Sequence, residues 1–247
     1  MKQRTLLALG LLTTAGAPWL QAATVILPTS VTATVAANAG STTTGLINGT
    51  GLSNDSLVET GDTLDAAALA VTHGNGPTTG LVTNYVTNDP GAGGGDYFAD
   101  FAGTTSLTFS LGASYNSVDS ILVWNYTQPS GGGTAPPRNA LRTFNLEFFS
   151  DAAATASLGI VTGLTLNQSN GISNGQEPVQ QVFFTGGSTF DGVQSIRMTL
   201  TDNFFGLGGG AGGDRVGLAE VRFTQVPEPA VACLSGLGLL GLLRRRR

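Results

Sequence analysis

Three short patterns in this chain carry the residue types of known chemistries, and each lacks part of what its chemistry needs. Gly171-Ile172-Ser173-Asn174-Gly175 has the Gly-x-Ser-x-Gly form of a nucleophile elbow. Such an elbow needs a helix directly after it and a histidine further down the chain to take the serine proton. Here Pro178 and another strand pattern follow, and the single histidine, His73, lies about a hundred residues upstream. Gly208-x-Gly210-x-x-Gly213 has dinucleotide-loop spacing, but Asp214, Arg215 and an alternating pattern stand where a helix N-terminus would have to receive phosphates. Gly93-Gly94-Gly95-Asp96 and Gly212-Gly213-Asp214 share the form of calcium-binding β-helix repeats, which act only in tandem. His73 has no cysteine or second histidine for a zinc site of the usual composition, and its His-Gly-Asn-Gly-Pro context reads as a surface loop. No acid pair is singled out for glycoside hydrolysis, and most Asp residues fall in turns, where Asp bonds local backbone. The chain reads as non-enzymatic, with a glycan-active hydrolase as a distant third reading.

Recognition chemistry is better represented. A carbohydrate site sets an aromatic face beside hydrogen-bonding groups carried on loops. The candidates are Tyr97 and Phe98 after Gly95-Asp96, Arg138 and Asn139 after Pro136-Pro137, and Phe204 and Phe205 before a glycine run. Trp124, inside an alternating run, reads as core. Nucleic acid is excluded as a partner: between the two ends stand five arginines, no lysine and fifteen acids, a charge near −10, and a phosphate backbone requires clustered cations.

The elements that must position these residues are strands. Charged residues are 11 % of the 247, hydrophobics 41 %, and 36 are glycine, which leaves ample apolar surface to bury. Apolar positions recur with period two at Val31, Ala33 and Val35, at Leu107, Phe109 and Leu111, and at Phe144, Leu146 and Phe148. The pattern returns at Val182 and Phe184, at Ile196, Met198 and Leu200, and at Ala219, Val221 and Phe223. Between Ile121 and Tyr126 both faces are apolar, which predicts a central strand. Only Leu64 to Val71 carries a short helical stripe. Gly-rich turns at 130–137, 171–175 and 206–213 separate the runs. The expectation is all-β: one antiparallel β-sandwich of jelly-roll type over 24–225, with an insert at about 54–100.

Both ends read as addresses. Residues 1–23 have a basic start (Lys2, Arg4), an apolar stretch from Leu6 to Ala17 and small residues at Ala22-Ala23, the form of a cleavable signal peptide. The last part, 226–247, runs Pro227-Glu228-Pro229, then apolar residues from Ala230 to Leu243, then Arg244, Arg245, Arg246 and Arg247. This apolar stretch, fourteen residues long, falls short of the roughly 20 of a full span, and the arginines would hold its end on the cytoplasmic side. Cys233 is the only cysteine and lies in this tail, so the domain forms no disulfide.

That order of parts closely resembles the PEP-CTERM sorting signal of Gram-negative bacteria. The resemblance implies export, transient inner-membrane anchoring, processing by an exosortase, and delivery to the cell surface or extracellular polymer. Three further stretches carry a second resemblance: Leu46 to Ser53 (LINGTGLS), then Leu107 to Gly112 with Val118 to Tyr126 and Arg142 to Asp151, then Ser195 to Asp202 with Val216 to Phe223. Together they look like a discoidin-like domain of galactose-binding fold. This resemblance implies a polysaccharide ligand, the cell's own exopolymer being the expected one. A purely structural or protein-interaction module of the matrix is the alternative. It also implies one structural calcium, at Asn48, Thr50 and Glu220, with Asn48 standing where the family commonly has Asp. By alternation Glu220 points away from the face of Ala219, Val221 and Phe223. It is then either a ligand or the partner of an arginine such as Arg222 or Arg197.

Overall fold

In antiparallel pairing the backbone N–H and C=O groups of an alternating run find partners on the neighbouring strands while one face of the run turns inward. The chain uses this twice. The structure, a computed structural model, describes residues 22–74, 83–90, 95–127, 136–169, 177–184, 187–207 and 212–226. These residues fall in one unit, Ala22–Glu228. Residues 1–21 of the signal sequence, the Ser173 pattern, Gly208 and Gly210, and all of the tail from Pro227 on, Cys233 included, lie outside the described residues. No helix of the described residues is long and apolar enough to cross a membrane.

In chain order the strands are β1 (Thr24–Ile26), β2 (Ser30–Ala33), β3 (Thr72–His73), β4 (Tyr85–Val86), β5 (Thr105–Tyr115) and β6 (Val118–Asn125). They continue as β7 (Leu141–Phe149), β8 (Ser157–Thr165), β9 (Glu177–Pro178), β10 (Gln180–Phe183), β11 (Val193–Asn203) and β12 (Gly217–Gln225). One sheet has the order β1-β12-β6-β10, with β4 also on β12, and the other has β2-β5-β11-β7-β8. β3 and β9 form a separate ribbon. The facing sides interdigitate Phe109, Phe144, Phe148, Ile196 and Met198 with Ile121, Val123, Val221 and Phe223. The all-β, antiparallel sandwich expected from the alternation is what forms.

The first sheet is covered on its outer side as well. Residues 48–73, which hold two 3₁₀ turns (Asp55–Leu57 and Ala68–Ala70) and run into β3, lie over it as a strap. Val58, Ala68 and Val71 from the strap pack on Leu122, Trp124 and Ala219, and Trp124 Nε1 donates to the carbonyl of Val71 at 2.9 Å. This explains the doubly apolar β6. The stripe from Leu64 to Val71 forms only the 3₁₀ turn at its end and no α-helix. The single α-helix of the described residues, α1 (Tyr97–Asp100), is one turn capped by Asp96, whose Oδ1 accepts from the Phe98 amide.

One sequence expectation is corrected here, and one strand lies outside the alternating runs. The inward residues of β8, Val161 and Leu164, are three apart and break the two-residue period, and Leu158 and Ile160 face solvent. The ladder to β7 shifts register between Phe144 and Leu146 and again between Phe148 and Phe149. On β12 a shift between Leu218 and Glu220 moves Ala219 off the face of Val221 and Phe223. Ala219 joins the outer cluster under the strap instead.

Candidate functional site

All six sequence-predicted recognition residues meet at one end of the sandwich, around Gly212 and Gly213. Gly213 is held from three sides: its N–H donates to Asn139 Oδ1, and its carbonyl accepts from the Tyr97 amide at 2.8 Å and from Asn203 Nδ2 at 2.9 Å. Both glycines adopt positive φ, 104° and 109°, and have no room for a side chain. A Cβ on Gly212 would stand 2.7 Å from Asn139 Oδ1, and one on Gly213 would enter the Phe205 ring. The 136–140 loop is tied in through Phe204 N–H to the Arg138 carbonyl (3.1 Å) and Gly217 N–H to the Asn139 carbonyl (2.7 Å).

The six residues then divide by exposure. Tyr97 is buried, its hydroxyl bonded to Thr105 Oγ1 at 2.8 Å and its ring stacked on Phe101. Phe204 is buried with Val86, Tyr126 and Ala140. Neither presents a ring to a ligand, so the structure corrects both to core. Phe205 is 37 % exposed, while Phe98, Arg138 and Asn139 are half-buried, as are Asp214 and Arg215 beside them. Sequence reasoning missed Asn203, which organises this end. Its Nδ2 also reaches the Arg215 carbonyl at 2.9 Å, and its Oδ1 accepts from the Phe205 amide at 3.0 Å. An Asn closing a strand before Phe-Phe-Gly was the available signal, since Asn in a turn bonds nearby backbone.

The residues expected to hold calcium lie elsewhere, under the strap. Glu220 is fully buried. Its Oε1 accepts from Arg222 Nη1 and, at 3.3 Å, from the Gly49 amide. Arg222, equally buried, donates onward to the carbonyls of Val58 (3.3 Å) and Val221 (3.0 Å). Asn48 and Thr50 have exposed side chains, and Asn48 Oδ1 closes a local turn on the Thr50 amide at 2.9 Å. The chain does bring the 48–50 loop to Glu220, but the atoms around Oε1 are N–H donors. Of the two carboxylate oxygens, Oε2 has no partner among the described residues, and it stands beside a guanidinium that repels a second cation. Calcium wants six to eight oxygens, and the residues present do not fit it.

His73 is the third buried group here, which corrects the surface-loop expectation. It is 0 % exposed, its Nε2 lies 3.1 Å from the Thr50 carbonyl, and Gly51 leaves no space for a Cβ above its ring (2.7 Å). Burial lowers its pKa to about 4, against the pull of the Thr50 carbonyl. Burial likewise pushes the Glu220 carboxyl up, to about 7, although Arg222 favours the ionised form.

Residues 225–247 match the PEP-CTERM protein-sorting motif, which marks an exported protein sorted through the membrane. Among solved structures the fold is similar to the family 32 carbohydrate-binding module of C. perfringens NanJ in complex with galactose. The match has 15 % identity, a TM-score of 0.46, and covers 82 % of this chain and 99 % of that one. A Streptococcus pneumoniae fucose-binding module is similar at 11 % identity and a TM-score of 0.42, over 80 % of this chain and 94 % of that one. A truncated AlyQ with family 32 module and alginate lyase domains shares 17 % identity at a TM-score of 0.43, over 84 % of this chain and 34 % of that one. A comparison with curated proteins finds no match.

Proposed function

We propose that this protein is a non-enzymatic cell-surface or matrix component whose sandwich binds polysaccharide at the Gly212–Gly213 end. The observation that carries the reading is the pairing there of an exposed aromatic ring, Phe205, with half-buried polar side chains (Arg138, Asn139, Asp214) on backbone pinned by Asn139 and Asn203. An apolar ring face beside fixed hydrogen-bonding groups suits a sugar, which offers C–H faces and hydroxyls together. His73, the only histidine, is buried under the strap and serves no chemistry at this end. The tail supports the destination: an exosortase would meet Pro227-Glu228-Pro229 and release the domain from a transient inner-membrane anchor to the surface, where the cell's exopolymer is the nearest ligand.

Two measurements test this. Intact mass of the surface-exposed protein is expected to lack Arg244 to Arg247, and their retention on surface material would count against exosortase processing. Polysaccharide pulldown with the full chain should show saturable binding that Phe205→Ala and Arg138→Ala each weaken several-fold. Phe183→Ala removes another exposed ring, on β10 opposite Ser120, and should change nothing. Equal weakening by Phe183→Ala, or no binding to any glycan, favours the structural-module reading.

A further inference from the structure

We infer that Arg222 takes the place of a metal ion in this domain: its guanidinium is a built-in cation that ties the strap to the last strand, and the folded protein neither needs nor gains from calcium. The tie runs through named atoms. Nη1 engages Glu220 on the same face of β12, and Nε reaches across to the Val58 carbonyl of the strap at 3.3 Å. The Gly49 amide closes the other side on the same carboxylate oxygen. The cation and its carboxylate together thus join two segments of the strap to β12, Val58 through Arg222 and Gly49 through Glu220, as an ion shared between a loop and a strand would.

A dication and this guanidinium cannot share the site. Both would bear on a single buried carboxylate, an uncompensated charge that burial makes costly. The neutral oxygens an ion would recruit are also turned away: Asn48 Oδ1 holds the Thr50 amide, and the Thr50 carbonyl faces the His73 ring. Guanidinium fits what is there, because its planar fork serves a carboxylate and carbonyls together. An arginine is also not removed by chelation, so an acidic polymer that sequesters calcium leaves this fold intact.

The test is thermal melting of the full chain in mild detergent at pH 8, where the carboxyl is ionised. The wild-type midpoint with millimolar calcium and with chelator should agree within about 1 °C. Arg222→Lys keeps a cation and should be equally indifferent to chelator. Arg222→Ala should lower the midpoint by about 6 °C or more, as breaking a buried pair does in a domain of this size. Added methylguanidinium, the fragment deleted, should raise the midpoint of that variant and not of the wild type. A wild-type midpoint that rises with calcium and falls with chelator overturns the inference. So does an Arg222→Ala protein that melts like wild type in chelator. Where Arg222→Ala does not fold, the wild-type and Arg222→Lys comparisons decide alone.

Discussion

The two sheets use the same ion-pair chemistry on their outer faces and get different things from it. On the β5-β11-β7 sheet, Arg142 meets Asp202 at 2.9 Å with the side chains 43 % and 37 % exposed. Arg197 meets Glu147 at 3.2 Å, at 36 % and 29 %. Under the strap, Arg222 and Glu220 are both at 0 %. Water screens the first two pairs and satisfies their spare atoms. The third is sealed from solvent, and among the described residues Glu220 Oε2, Arg222 Nη2 and His73 Nδ1 have no partner. What separates the faces is whether a segment of chain lies across them.

The largest expected effect is loss of the strap's anchor. Trp124→Ala should cost about 3–5 kcal/mol, from lost burial and cavity together with the bond to the Val71 carbonyl. Denaturant titration would read this as a lower midpoint. A cost below about 1 kcal/mol would mean that the strap is not part of the cooperative fold.

Next is pH. Glu220 titrates near 7 when folded against 4.5 as a free side chain, so its contribution is full below about 4.5 and is lost as pH rises to about 7. His73 titrates near 4 against 6.5, so its contribution is full above 6.5 and is lost as pH falls to about 4. Each is worth roughly 3 kcal/mol over its window, and the two oppose each other between about 4.5 and 6.5. Glu220→Gln should therefore make stability rise with pH across that interval, and His73→Gln should make it fall. Identical profiles for the two variants would break the assignment.

Smaller effects belong to the open face. Arg142→Ala should cost about 0–1 kcal/mol and lose even that in high salt. Arg197→Ala should cost slightly more, since its guanidinium also lies 4.7 Å over the Phe149 ring and donates to the Ala154 carbonyl. Smallest on stability is Phe205→Ala, within about 0.5 kcal/mol, whose effect is expected in glycan binding alone. An Arg142→Ala cost matching that of Arg222→Ala would erase the contrast between the faces.

Strands whose inward residues keep a strict two-residue period were legible: β5, β6, β7 and β11 follow from Leu107, Ile121, Phe144 and Ile196 and their alternates. β8 was hidden because an edge strand need bury only one side of an interrupted ladder, and its bulges leave Val161 and Leu164 out of phase. At the loop end the residue types pointed to the right place, since Gly-rich turns and aromatics cluster where strands stop. Type alone did not tell Phe205 from Phe204 or Tyr97, because exposure depends on which neighbouring loop covers a ring.

The sequence by itself determined the all-β class, the antiparallel sandwich, the central β6 and the sorting tail. Each is written in local order, as a two-residue period or as a motif contiguous in the chain. Only the tertiary structure decided the fate of the polar residues. Glu220 and Arg222 are two apart on one strand, and their alternation allows either a solvated pair or a ligand. They became a buried clamp because residues 48–73, far away in sequence, fold across that face and bring Gly49, Val58 and His73 against it. Burial is a property of the assembled chain, and burial sets both the pKa values and the cost of breaking the pair.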